Sequence, residues 1–149
     1  MTRTKKMPSK LAAMQDAGQR LRSNGHRLTQ SRQRILATLL RAEIAMTPDE
    51  ICDSLKEQGH DADRVTTYRV LDWLVEQRLA HRIASDSRAW QFNASWEAEH
   101  EHMHFACQDC ERIYCLDPGS PVSPPRVPAG FKVEERELLL RGHCPDCSE

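Results

Sequence analysis

Two Cys-x-x-Cys pairs, Cys107/Cys110 and Cys144/Cys147, bracket the C-terminal third of the chain. Four thiolates in two short hooks are the donor set of a closed tetrahedral zinc site, because zinc takes four ligands and each hook supplies two. The region holds more donors than one such site uses: His100, His102, His104, Cys115 and His143, with His81 upstream. That surplus points to a second, more open metal site, suited to sensing or catalysis. His100, His102 and His104 alternate, so on a shared strand they point the same way. A dithiol redox pair is the other reading of Cys-x-x-Cys. Two pairs and no preceding βαβ pattern argue against it.

These donors need a scaffold, and 149 residues suffice for one domain or two small ones. The net charge of −1 hides a division: residues 1–41 carry ten Lys/Arg against Asp16 alone, and residues 42–149 carry eleven against twenty-one acids. A basic N-terminal third joined to an acidic remainder fits a nucleic-acid-binding module with a second unit attached. The N-terminus lacks an apolar leader core, and no run nears the roughly 18 apolar residues of a membrane span. The expectation is a cytoplasmic protein without a membrane partner. In that reducing compartment, paired cysteines bind metal more often than they form disulfides.

Residues 1–10 read as a flexible basic arm. Leu11 to Ser23 has helical spacing and ends at Asn24-Gly25. Thr29 caps a second helix to about Arg41, with Ile35, Leu36, Leu39 and Leu40 on one face. Thr47-Pro48-Asp49-Glu50 starts a third helix that Gly59 ends. A fourth runs from about Arg64 to Gln77. Residues 79–84 and 89–93 read as two short strands joined at Ser85-Asp86-Ser87. Short helices closed by a hairpin describe a winged helix-turn-helix over residues 11–94, whose 64–77 helix enters the major groove. Residues 95–149 follow as a small metal-binding unit with strands at 102–106, 112–116 and 131–140. Asp117 to Gly130 contains five prolines and is excluded from helix. The apolar content after residue 95 is thin, so this unit needs a metal staple. The fold class is α+β: an N-terminal winged helix-turn-helix plus a small, zinc-stapled α/β domain, to which the resemblance described next adds a role in dimerisation.

The chain resembles the ferric uptake regulator family of metal-dependent repressors. The matching stretches are Arg27-Leu28-Thr29-Gln30-Ser31-Arg32, Thr66-Thr67-Tyr68-Arg69-Val70-Leu71, His102-Met103-His104-Phe105-Ala106-Cys107-Gln108-Asp109-Cys110 and Gly142-His143-Cys144-Pro145-Asp146-Cys147, in family order. Leu71 to Gln77, followed by His81-Arg82-Ile83, looks most like the zinc uptake regulator branch.

The resemblance implies a homodimer that binds double-stranded operator DNA when a regulatory site is metal-loaded. It also implies repression of zinc-uptake genes, with no catalysis and no small-molecule substrate. Cys107, Cys110, Cys144 and Cys147 would hold a structural zinc. His81, Cys115 and two of His100, His102 and His104 would hold the regulatory zinc. Family members usually carry a carboxylate where Cys115 stands, and a thiolate there favours zinc over iron or manganese. Zinc regulators often place a cysteine where Asn93 stands, so one thiolate has changed position. A further family site is expected to be missing, because Met103 and Arg136 occupy two of its ligand positions. On the DNA face, Tyr68 and Arg69 match contact residues, with Arg69 suited to guanine. Thr66, Thr67, Arg64, Arg27 and Arg32 suit phosphate or base contacts. The alternative within the family is an iron-responsive or peroxide-sensing repressor. A zinc hydrolase would need a general base beside an open zinc position, and none is evident. A plain zinc-stapled interaction module would leave Tyr68-Arg69 and the basic first third without a role.

Overall fold

The computed structural model describes residues 7–84, 89–95, 102–116, 125–134 and 136–148, and of His102 the backbone only. The element order is α1 (Lys10–Ser23), α2 (Gln30–Arg41), α3 (Pro48–Glu57), α4 (Arg64–Glu76), β1 (Ala80–Ile83), β2 (Gln91–Ala94), β3 (His102–Cys107), β4 (Ile113–Leu116) and β5 (Glu137–Gly142).

Local chemistry sets the helix ends. The side chains of Ser9, Thr29, Thr47 and Asp63 each accept from a main-chain N–H in the first turn of α1, α2, α3 and α4. Thr47 and Glu50 form a reciprocal capping box before Pro48. Gly25 and Gly59, at φ 73° and 83°, take the left-handed conformation that closes α1 and α3. After α4 that position falls to Arg78, at φ 59°. Leu79 still donates back to the Leu74 carbonyl at 2.9 Å, so the chain turns sharply from α4 into β1.

α2 lies at the centre of the helical core. Its Ile35, Leu36, Leu39 and Leu40 pack with Leu21 of α1, Ile51 and Leu55 of α3, Leu71 and Leu74 of α4, and Phe92 of β2. β1 and β2 pair antiparallel, with His81 opposite Asn93. The second sheet has the order β4-β3-β5, with β3 antiparallel to β4 and parallel to β5. The extended segment 44–46 ties the two sheets together. Ala45 N–H donates to the Ile113 carbonyl at 2.8 Å, and Met46 exchanges two hydrogen bonds with Phe92 at 3.0 and 2.8 Å. Ala45, Ile83 and Ile113 form a small second core at this junction.

The third C-terminal strand departs from the expected 131–140. Phe131 and Val133 alternate, yet they are exposed outside any strand; β5 starts at Glu137, where it pairs with His102 of β3. Residues 125–130 of the proline-rich stretch hold no helix, and the expected hairpin turn at 85–87 lies outside the described residues.

Candidate metal centres and nucleic-acid interface

The first hook follows β3 and the second follows β5. Because those strands pair in parallel, both hooks arrive at the same end of the sheet. Gln108 N–H donates to the Gly142 carbonyl at 2.8 Å, and Cys144 N–H points at Cys107 Sγ at 3.4 Å. His143 Nδ1 lies 2.8 Å from Asp109 Oδ2, clamping hook to hook outside the cluster. All four sulfurs of Cys107, Cys110, Cys144 and Cys147 lie within 4.8 Å of one another, and Cys110 Sγ is 3.8 Å from Cys144 Sγ. A zinc–sulfur distance of about 2.3 Å gives a tetrahedron edge of roughly 3.8 Å, so the donor set fits the ion.

The cluster also favours thiolate formation unevenly. The Cys107 thiol is lowered to about 6, first by the main-chain N–H of Cys110 and then by that of Cys144. Cys147 is pushed up to about 12, first by its hydrogen bond with the Cys144 sulfur and then by burial. Four sulfurs packed this closely resist sharing four negative charges without a cation among them.

A second convergence of donors lies where the two sheets meet. His81 projects from β1 and His104 from β3, and their Nε2 atoms are 2.8 Å apart. The His104 side chain is wholly buried. On the far side of each ring, His81 Nδ1 is 3.4 Å from Ser95 Oγ and His104 Nδ1 is 3.4 Å from Glu137 Oε1. Cys115 is the cross-strand partner of His104, so the two residues share a face of the sheet. Asn93, opposite His81 on the wing, is buried, and its Nδ2 has no hydrogen-bond partner among the described residues. Two imidazoles and a nearby thiol suit a borderline-soft divalent ion. Of the other expected ligands, His100 and the side chain of His102 lie outside the described residues. Among the described residues, the cysteine cluster is the one group of three or more donors drawn together.

Sequence reasoning missed Glu137 and Ser95. Glu137 sits opposite His102 in a parallel pairing, and no local pattern encodes that register. Ser95 becomes legible only once His81 is known to face the end of β2.

α4 presents Arg64, Thr66, Tyr68 and Arg69 to solvent, with Tyr68 39% exposed. Arg64 pairs with Asp49 at 3.0 Å and lies over the Tyr68 ring at 5.9 Å. Thr67, expected on this face, does not join it. It is 1% exposed, its hydroxyl donates to the Asp63 carbonyl at 2.8 Å, and it touches Cys52 Sγ at 3.1 Å. A buried hydroxyl with internal partners has no surface to offer a phosphate. Arg32 is half-buried: it stacks 3.7 Å above Trp73 and donates to the Arg27 carbonyl at 3.0 Å. It therefore joins α2 to α4, while Arg27 is exposed beside it.

Residues 23–119 match the family model described as the ferric uptake regulator family. The ferric uptake regulation protein of Haemophilus ducreyi is 29% identical over 136 residues, covering 86% of this chain and 89% of that protein. The peroxide-responsive repressor PerR of Staphylococcus saprophyticus is 26% identical over 141 residues, covering 91% and 92%. The zinc uptake regulation protein of Escherichia coli is 25% identical over 126 residues, covering 83% and 74%. Among solved structures, the Helicobacter pylori ferric uptake regulator shares the fold at a TM-score of 0.64, 17% identity and 97% coverage of both chains. A zinc uptake regulator complexed with zinc and DNA shares it at 0.65, 19% identity and coverage of 93% and 95%. The chain belongs to the ferric uptake regulator family, a family of metal-responsive transcriptional regulators.

Proposed function

We propose that this protein is a zinc-responsive repressor that binds operator DNA when its regulatory site is loaded and so controls zinc-uptake genes. The observation that carries the reading is the meeting of His81 and His104 across the junction of the two sheets, with Cys115 on the same face as His104. Relatives of this chain are named for iron, peroxide and zinc. Here a cysteine stands beside His104 where a carboxylate would favour a harder ion, and this supports zinc.

The division of labour follows the two sheets. Residues 11–94 form the DNA-binding unit and residues 95–149 the metal-binding and dimerisation unit. The four-cysteine cluster holds structural zinc and staples β3 to β5. His81 rides on the wing and His104 on the second sheet, so fixing the two rings together fixes the wing against that sheet. A zinc ion at this site supplies a compact divalent charge that binds both imidazoles. In a homodimer, a fixed wing orientation sets the separation of the two α4 helices, which read half-sites about one helical turn apart. Arg69 and Tyr68 then address base edges, and Arg64, Thr66 and Arg27 address base or phosphate. Metal and operator each tighten binding of the other, by a coupling typically on the order of 1–3 kcal/mol.

A homodimer is supported by the second face of the C-terminal sheet. Met103, Phe105, Leu116, Leu138 and Leu140 share it by register, and Leu138 and Leu140 are 38% and 42% exposed in the single chain. No helix among the described residues is long and apolar enough to cross a membrane. We place the protein in the cytoplasm, with no small-molecule substrate.

The test is fluorescence anisotropy on duplex DNA selected by the protein from a random pool. The protein retains its tightly held zinc, and zinc, iron(II) and manganese(II) are added in turn. Zinc alone should restore tight binding. Restoration by iron(II) alone would replace this reading with the iron-responsive one.

A further inference from the structure

We propose that Glu137 and Ser95 are the positioning residues of the His81–His104 site, setting which ring nitrogen carries the proton. The inference rests on the reading of that pair as the regulatory metal site.

A neutral imidazole has one N–H and one lone pair. With His81 Nε2 and His104 Nε2 2.8 Å apart, one neutral ring donates and the other accepts. The outer nitrogens decide which. His104 Nδ1 lies 3.4 Å from Glu137 Oε1, an ion-pair contact rather than a hydrogen bond, and the negative charge of the carboxylate favours an N–H over a lone pair on the nitrogen beside it. The contact favours the Nδ1–H tautomer of His104, with the Nε2 lone pair turned inward. His81 then donates through Nε2–H, and its Nδ1 accepts from the Ser95 hydroxyl at 3.4 Å. The hydrogen bonds run in one direction, Ser95 to His81 and His81 to His104, and leave the Nδ1–H of His104 beside the Glu137 carboxylate.

This order prepares His104 as a ligand and leaves His81 one step short. For both Nε2 lone pairs to serve as ligands, His81 must move its proton from Nε2 to Nδ1. The proton count is unchanged. Ser95 accommodates the shift because a hydroxyl can accept as well as donate: it rotates and receives the new Nδ1–H. An alanine there cannot. A carboxylate behind a ligating histidine also raises the basicity of the ring.

Ser95 is itself tied to the DNA-binding helices. Its N–H donates to the Leu79 carbonyl at 2.9 Å, and its carbonyl accepts from Arg20 Nη1 at 2.6 Å. Arg20 is held by Asp16 at 3.0 Å. The position of α1 is thus passed to the ring of His81 through one serine.

The experiment uses full-length protein that retains its cysteine-bound zinc and is labelled with ¹⁵N-histidine. Long-range ¹H–¹⁵N spectra report tautomers before and after zinc, and competition with a chromophoric chelator reports affinity. Without added zinc, His104 should be the Nδ1–H tautomer and His81 the Nε2–H tautomer; with zinc both should be Nδ1–H. Glu137→Val and Ser95→Ala should each weaken the second zinc about 10–100-fold, with the first unchanged. Glu137→Gln, which keeps an acceptor oxygen, should fall between. Wild-type protein that binds a second zinc through His81 and His104, while both variants bind it equally well or His104 shows the Nε2–H tautomer, overturns this proposal alone. A wild type that takes up no second zinc, or whose His81→Ala and His104→Ala variants still take it up, overturns the site reading and the proposal together.

Discussion

His81 Nε2 stands 2.8 Å from His104 Nε2, one ring carried by the wing hairpin and the other by the C-terminal sheet. The described contacts between the wing side and the C-terminal sheet include this pair, the backbone segment 44–46 and the small core of Ala45, Ile83 and Ile113. Two side chains that meet at this junction are placed to govern its geometry.

Removing one of the two rings should therefore separate metal response from folding. His81→Ala is expected to keep the cysteine-bound zinc and the melting profile but to lose most of the zinc-dependent gain in operator affinity. The full coupling corresponds to about 5–150-fold. Anisotropy titrations with and without added zinc read it directly, and an undiminished zinc response in the variant would be contrary to the site.

The cysteine cluster should behave oppositely. Cys144 is buried with its sulfur 3.8 Å from Cys110 and its N–H aimed at Cys107 Sγ. Cys144→Ser should cost one zinc per chain and open β3, β4 and β5, because a structural metal contributes folding energy directly. The helical core of α1 to α4 has its own apolar packing and should survive. Metal analysis with hydrogen exchange resolved by segment distinguishes the two regions.

On α4, adjacent residues should divide between recognition and stability. Arg69→Ala should cost roughly 1–3 kcal/mol on the selected duplex and less on scrambled DNA, as expected of a base contact. Thr67→Ala should instead lower stability by about 1 kcal/mol, the scale of a buried hydroxyl's hydrogen bond. Anisotropy on both duplexes and denaturant melts test the pair; an equal loss for Arg69→Ala on both sequences would reduce its role to phosphate contact.

Leu140→Asp places a charge on the apolar sheet face beside Leu138 without disturbing the cysteine hooks. Sedimentation velocity should show monomer in place of dimer, with zinc content preserved. A dimer that persists would move the interface to another surface.

Asp63 caps α4, and its carboxylate is held below the ordinary 3.8 by hydrogen bonds from Thr66, first its main-chain N–H and then its hydroxyl. A depressed value in the folded state means that this stabilisation is present above the unfolded value and is lost as pH falls through the folded one. Asp63→Asn keeps the acceptor but cannot titrate. Acid unfolding curves should show a weaker pH dependence below 3.8 for Asp63→Asn than for wild type.

The helical half of this protein was legible because its determinants are local. Thr29, Thr47 and Asp63 fall where orphan N–H groups need an acceptor, Gly25 and Gly59 fall where the backbone turns left-handed, and the spacing of Ile35, Leu36, Leu39 and Leu40 predicts a buried face. The four-cysteine cluster was legible for the same reason, since each Cys-x-x-Cys hook is a self-contained pair of donors.

Burial within α4 was not local. Thr66 and Thr67 read alike in the sequence, but the turn of the helix aims one at solvent and the other at Cys52. Arg32 reads as a phosphate contact until Trp73, far along the chain in another helix, is found beneath it. The alternation at Phe131 and Val133 predicted a strand, yet a strand needs a partner, and β3 offers its free edge only from Glu137 onward.

What the sequence determined by itself was the inventory: four helices, two hooks, and a surplus of histidines and cysteine. What only the tertiary structure decided was which of those donors meet. The parallel pairing of β3 with β5 brings Glu137 behind His104, and the strap at 44–46 holds the wing so that His81 faces it. Ligand identity is written residue by residue, whereas ligand convergence depends on strand register and the packing of one sheet against another, which are properties of contacts between distant parts of the chain.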